Sequence, residues 1–105
     1  MKRVVLLEDE TLFRQLIRLT LGKIKEVEVV AEFGTAREGL GYCRRERPDL
    51  LVTALVLPDL GGGDLIRTVR TELPDTKVLL LATHPGGRLP AERARDEPTG
   101  VRAAL

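Results

Sequence analysis

Three consecutive carboxylates, Glu8, Asp9 and Glu10, follow the apolar run Val4-Val5-Leu6-Leu7. Acids this close repel one another. A hard cation such as Mg2+, taking one or two carboxylates plus water, relieves that repulsion. The same acids equally suit a solvated loop leading into a helix, whose N-terminal dipole favours negative charge. A further carboxylate, Asp59, stands in the loop Pro58 to Gly63 and could reach the same pocket. Carboxylates with Mg2+ can support phosphoryl chemistry, so a metal-dependent ligand-binding or phosphatase-like domain is one reading. No base or nucleophile is identifiable beside them, and the chain reads as a non-enzyme.

Other residues carry weaker signals. Gly61-Gly62-Gly63 before a helix suits either a nest of backbone N–H groups for an anion or a flexible turn. No Lys follows, so the run is not a P-loop. His84 follows the last strong apolar run, as a ligand or nucleophile or as a surface-loop residue. Cys43 is the only cysteine, which excludes an internal disulfide and a Cys-based zinc site. It falls on an apolar helix face and reads as a small buried hydrophobe.

The elements that must position these groups alternate. Val4 to Leu7 reads as a strand covered on both faces. Leu12, Phe13, Leu16, Ile17, Leu19 and Leu21 follow helical spacing, with Thr11 as cap and Gly22 as stop. Val27 to Ala31 is a second strand, and Glu26, Glu28 and Glu32 give it an edge position. Thr35-Ala36-Arg37-Glu38 fits a capping box, so a helix starts there. Arg44, Arg45 and Arg47 form its solvated last turn, and Pro48 ends it. Leu50 to Leu57 is the longest apolar run and reads as the central strand. Asp64 to Glu72 is a helix with Leu65, Ile66 and Val69 inward. Val78 to Ala82 is a fourth buried strand.

This βαβαβαβ order predicts a parallel sheet with helices on both faces. Residues 1–84 form that core. Residues 85–105 form an atypical tail: Pro85-Gly86-Gly87 and Pro90 are loop signals, Ala91 to Glu97 a short polar helix, and Gly100 to Leu105 a weak fifth strand. In an open parallel sheet, sites form beyond the carboxyl ends of the strands. That selects Glu8 to Glu10, the region Ala54 to Gly63, and Ala82-Thr83-His84.

Composition narrows the function. With 105 residues, 43% hydrophobic and 31% charged, the chain suits one domain. A net charge of +1 argues against direct nucleic-acid binding. No apolar run approaches the roughly 18 residues needed to cross a membrane, and the N-terminus lacks a signal-peptide pattern. The expected setting is cytoplasmic.

The stretch Val4 to Arg14 resembles the opening of bacterial two-component response regulator receiver domains. So do Arg47-Pro48-Asp49-Leu50-Leu51-Val52 with Leu57-Pro58, and Leu73-Pro74-Asp75-Thr76-Lys77-Val78-Leu79. Together they cover residues 1–84 in the family's order. Leu12-Phe13-Arg14 is similar to the LuxR/NarL-type subfamily, whose receivers precede a helix-turn-helix effector. The resemblance implies a flavodoxin-like (CheY-like) α/β sheet of order 2-1-3-4, with a weak or absent fifth strand. It also implies an acidic pair that binds Mg2+, an aspartate ending strand three that takes a phosphoryl group from a kinase histidine, and a Thr or Ser ending strand four that senses it.

Carried over residue by residue, Glu8 and Asp9 match the acidic pair. Pro58 matches the proline four residues after the phosphoacceptor, which places Ala54 at the acceptor position. A methyl group neither attacks phosphorus nor coordinates metal. The switch position falls on Ala82, with Thr83 one residue late and on the other face. Thr53 neighbours Ala54 but points to the opposite face. If Gly100 to Leu105 is strand five, the chain stops before the family's conserved lysine and last helix. Mg2+ binding through Glu8 and Asp9, with Asp59 as a further candidate, is therefore expected to be weak.

The expected function is an atypical receiver in phosphorelay signalling, not phosphorylated at the usual aspartate and acting by protein–protein contact with a histidine kinase or downstream effector. A non-functional truncated receiver is the other alternative. If the tail fails to cover strand four, Val78, Leu79, Leu80 and Leu81 form an apolar edge, which invites a homodimer by strand pairing or tail exchange.

Overall fold

The computed structural model describes residues 1–83 and 101–104, the backbone alone at 82, 83 and 101–104. The turn expected at Pro85-Gly86-Gly87, the helix expected over 91–97 and His84 lie outside these residues. Strand β1 (Lys2–Leu7) leads to α1 (Thr11–Leu21), β2 (Val27–Phe33), α2 (Ala36–Glu46) and β3 (Leu50–Ala54). A small ribbon, β4 (Val56–Leu57) and β5 (Leu60–Gly61), precedes α3 (Gly62–Glu72), β6 (Lys77–Thr83) and β7 (Val101–Ala104). Among the described residues no helix is long and apolar enough to cross a membrane.

The sheet runs β2-β1-β3-β6-β7. Its first four strands are parallel, as the alternating elements predict. β2 lies at the edge, with Glu28 exposed and Glu32 half-buried. β7 pairs with β6 antiparallel, Leu80 with Ala104 and Thr83 with Val101. An antiparallel edge strand on a parallel sheet is a common arrangement. It changes one expectation: the open edge expected at Val78, Leu79, Leu80 and Leu81 is closed at Leu80 and Leu81, because their backbone groups already have a partner strand.

The expected central strand is shorter than its apolar run. It ends at Ala54, where Leu55 turns the chain and donates its N–H to the Leu81 carbonyl at 2.8 Å. Leu57 instead belongs to the antiparallel ribbon, with Leu60 opposite. The turn back into α3 requires glycine at 62. Its N–H donates to the Leu55 carbonyl at 2.8 Å, and a Cβ there would stand 2.6 Å from that oxygen.

Two buried clusters hold the sheet. On one face Val5, Leu7 and Leu51 pack with Leu40 and Cys43 of α2 and Leu65 and Val69 of α3. On the other, Val4, Leu6, Val52 and Leu81 pack with Ile17 and Leu21 of α1. Fully burying each such side chain contributes about 1.5–3 kcal/mol. α2 starts where its capping box predicts: Thr35 Oγ1 accepts from the Glu38 N–H at 3.3 Å and donates to Glu38 Oε1 at 2.9 Å. Glu10, not Thr11, caps α1, through a side-chain oxygen that accepts from the Leu12 N–H at 3.4 Å.

The apolar set of α1 divides. Phe13, Ile17 and Leu21 are half-buried, whereas Leu12, Leu16 and Leu19 are exposed. At the end of α2, Arg44 makes a two-point contact with the Glu72 carboxylate at 2.6 and 3.3 Å, so this turn is tied to α3 rather than merely solvated.

Candidate functional site

Glu8 leaves the end of β1 and is 2% exposed. Its backbone N–H continues the ladder to the Phe33 carbonyl at 3.0 Å. Its carboxylate accepts from the Glu10 N–H at 2.9 Å, which folds the acidic loop back on itself. Asp9 is exposed beside it. The loop is held from α1: Arg14 Nη1 donates to the Glu8 carbonyl at 2.8 Å, and Arg14 Nε donates to Glu32 on β2 at 3.2 Å. Glu32 also pairs with Arg18 at 2.9 Å. One carboxylate on the edge strand thus steadies two arginines a helical turn apart. The sequence carried that signal as the i, i+4 spacing of Arg14 and Arg18, but the partner on β2 is a tertiary contact.

Ala54 and Glu8 each follow the last pair of the β1–β3 ladder. Leu7 pairs with Thr53, so the following residue of each strand is Glu8 and Ala54. Ala54 is buried at 5% exposure, and its methyl brings no donor to the site. Thr53 is fully buried, and its hydroxyl donates to the Ala54 carbonyl at 3.1 Å.

Asp59 is committed elsewhere. One carboxylate oxygen accepts from the Ala36 N–H and the other from the Arg37 N–H, both at 2.9 Å. These two bonds favour the ionised form and hold the Asp59 carboxyl below its ordinary value, with the Arg37 charge adding to the effect. The carboxylate therefore caps α2 alongside Thr35. Gly61 precedes α3, and the Gly62 N–H is already bonded to Leu55, so that group is not available to an anion. Ala82 and Thr83 lie on β6, paired with Arg102 and Val101.

Cys43 is buried under α2, and burial pushes its thiol up to about 11, against a smaller opposing effect from the Arg44 charge. A thiol in that state is neither a nucleophile nor a metal ligand near neutral pH.

The donor set is poorer than the Mg2+ centre the resemblance implies: Glu8 and Asp9 remain, while Asp59 has both oxygens on α2 and Ala54 supplies a methyl group. Among the described residues no three His, Cys, Asp or Glu side chains are grouped to hold a metal. Among the described residues, the end of the sheet offers the buried Glu8, the exposed Asp9 and the methyl of Ala54.

The response regulator receiver domain family matches residues 4–92 of this chain. Response regulator UvrY of Escherichia coli (strain K12) is 30% identical over 92 residues, covering 88% of this chain and 42% of that protein. The DNA-binding transcriptional activator DevR/DosR of Mycobacterium tuberculosis is 32% identical over 84 residues, covering 80% and 39%. The chain thus spans about two-fifths of the length of these relatives. Among solved structures, the signal receiver domain of the response regulator NarL from M. tuberculosis superposes with a TM-score of 0.74 at 31% identity, covering 86% of this chain and 70% of that one. A two-component response regulator of the LuxR family from Aurantimonas sp. SI85-9A1 gives 0.74 at 29% identity, covering 83% and 62%.

Proposed function

The chain belongs to the response regulator receiver domain family, and on that premise we propose that it is a phosphorelay receiver that signals by protein–protein contact without phosphorylation at position 54. The observation that carries the reading is Ala54. It occupies the end of β3 beside Glu8, where the family resemblance places the phosphoacceptor, and its side chain holds no oxygen to accept a phosphoryl group. The commitment of Asp59 to α2 supports the same reading, because a substitute acceptor from the following loop would have to give up two hydrogen bonds. The partner is a signalling protein of the same pathway, either a histidine kinase or a downstream effector.

The test is amide NMR with Mg2+, then with Mg2+ plus beryllofluoride, a mimic of an aspartyl phosphate. The expected result is no saturable change around Glu8, Asp9 and Ala54 on adding beryllofluoride. Saturable shifts spreading from Asp59 to Ala82 and Thr83 would overturn the reading and make Asp59 the acceptor.

A further inference from the structure

The lysines of the chain are Lys2, Lys23, Lys25 and Lys77, and all stand exposed at the end of the sheet opposite Glu8 and Asp9. Lys2 opens β1, Lys77 opens β6, and Lys23 and Lys25 lie in the turn from α1 to β2. Among the described residues none of them is in an ion pair. Acids at this end have other partners: Glu46 pairs with Arg3, Glu72 pairs with Arg44, and Asp49 accepts the Arg3 N–H at 2.8 Å. The carbonyls that end α1 are also taken, by the N–H groups of Gly22, Lys23 and Ile24. Apolar groups surface at one corner of this end: Met1, Leu19 and Ile24 are 80%, 61% and 42% exposed. There Leu19, Gly22, Val27 and Val29 line a groove flanked by Arg18 and Lys23, with Glu28 as its acid. Met1 lines that groove and also its neighbour, which holds Lys2, Lys25, Glu26 and Asp49.

We propose that this corner is a docking surface for an acidic amphipathic segment of a partner protein. The apolar side chains of the segment lie on Leu19, Val27 and Val29, and its carboxylates fall among Lys2, Lys23 and Lys25. Unpaired cations around an apolar floor select that occupant by charge complementarity. A nucleic acid fits less well. Its phosphates gain nothing from the apolar floor, and no aromatic side chain lines either groove for a base to stack on. The surface is small and its charges are exposed, so binding is weak and falls with salt. Because the corner lies at the opposite end of the strands from Ala54, partner docking there and the reading of position 54 can fail independently.

Amide NMR of the whole chain, titrated with a short peptide of alternating glutamate and leucine, tests it. Saturable shifts are expected at Lys2, Lys23, Lys25, Val27 and Val29, with no change at Glu8 and Ala54. Lys23→Glu with Lys25→Glu in one variant should weaken binding about tenfold. Leu19→Ser should also weaken it, and Glu28→Lys should tighten it. These side chains are exposed, so each variant should keep the wild-type circular dichroism spectrum. A peptide with glutamine in place of glutamate should not bind. No saturable shift overturns the proposal, as does binding indifferent to the lysine variant or to Leu19→Ser. Oligothymidylate or phosphatidylglycerol vesicles that shift the same residues at equal or lower concentration would make the corner a nucleic-acid or membrane surface, and overturn it too.

Discussion

Asp59 reaches across to Ala36: its carboxylate accepts the Ala36 and Arg37 N–H groups at 2.9 Å and so closes the first turn of α2 from a loop 23 residues further along the chain. A helix start has N–H groups without intrahelical partners, and a carboxylate there is favoured by both hydrogen bonding and the helix dipole. The loop after β3 is therefore a structural strut for α2.

Asp59→Ala is expected to destabilise the fold by about 1 kcal/mol at neutral pH, the typical effect of losing a helix cap. The carboxyl titrates lower in the folded chain than in the unfolded one. Its contribution is therefore fully present above the unfolded value of about 4. It is lost as pH falls through the folded value. Urea unfolding of wild type and variant should differ at pH 7 and converge in strong acid. A difference independent of pH would show that the carboxylate is not the stabilising group.

Two glycines of α2 should respond to alanine with opposite signs. At Gly39 a Cβ would run into Leu7 Cδ2, in the core. At Gly41 it would meet only the Arg45 guanidinium, at 3.7 Å. Gly39→Ala is expected to lose about 1–3 kcal/mol by overpacking. Gly41→Ala is expected to gain roughly 0.5–1 kcal/mol from helix propensity. Thermal melts of the pair check both. Equal signs would mean that α2 does not approach β1 as closely as described.

Ala54→Asp places a third carboxylate beside Glu8 and Asp9. Without metal it is expected to destabilise by roughly 1–3 kcal/mol, because a buried charge lacks a partner. Millimolar Mg2+ should recover most of that loss in the variant while leaving the wild-type melting temperature unchanged. A Mg2+ shift of equal size in the wild type would mean that Ala54 is not what limits metal binding.

The Cys43 thiol should be unreactive in the native state. Buried, and pushed up to about 11, it offers almost no thiolate at pH 8. Disulfide-exchange labelling is expected to be complete in urea and to proceed in buffer only at the rate of transient opening. Rapid labelling in buffer would mean that the α2 face opens locally.

The sequence by itself determined what depends on near neighbours along the chain. Thr35 and Glu38 lie one helical turn apart, so their capping box was legible and α2 begins there. Short apolar runs separated by helical spacing implied a parallel sheet, and the glutamates of β2 implied its edge. That Ala54 stands where an acceptor is expected came from the family resemblance, which counts four residues back from Pro58. Tertiary structure decided the rest. Apolar spacing marked six residues of α1 as one set. Only the docking of α1 through Ile17 and Leu21 left Leu12, Leu16 and Leu19 in water. Asp59 looked free to enter the pocket until the packing of α2 on β1, through the missing Cβ of Gly39, brought the helix start within its reach. The antiparallel sense of β7 and the bond from Arg14 to Glu32 likewise join segments far apart in sequence. Contacts within one helical turn are set by backbone geometry that each residue carries with it. Contacts between elements depend on where whole helices come to rest, which no local run of residues encodes.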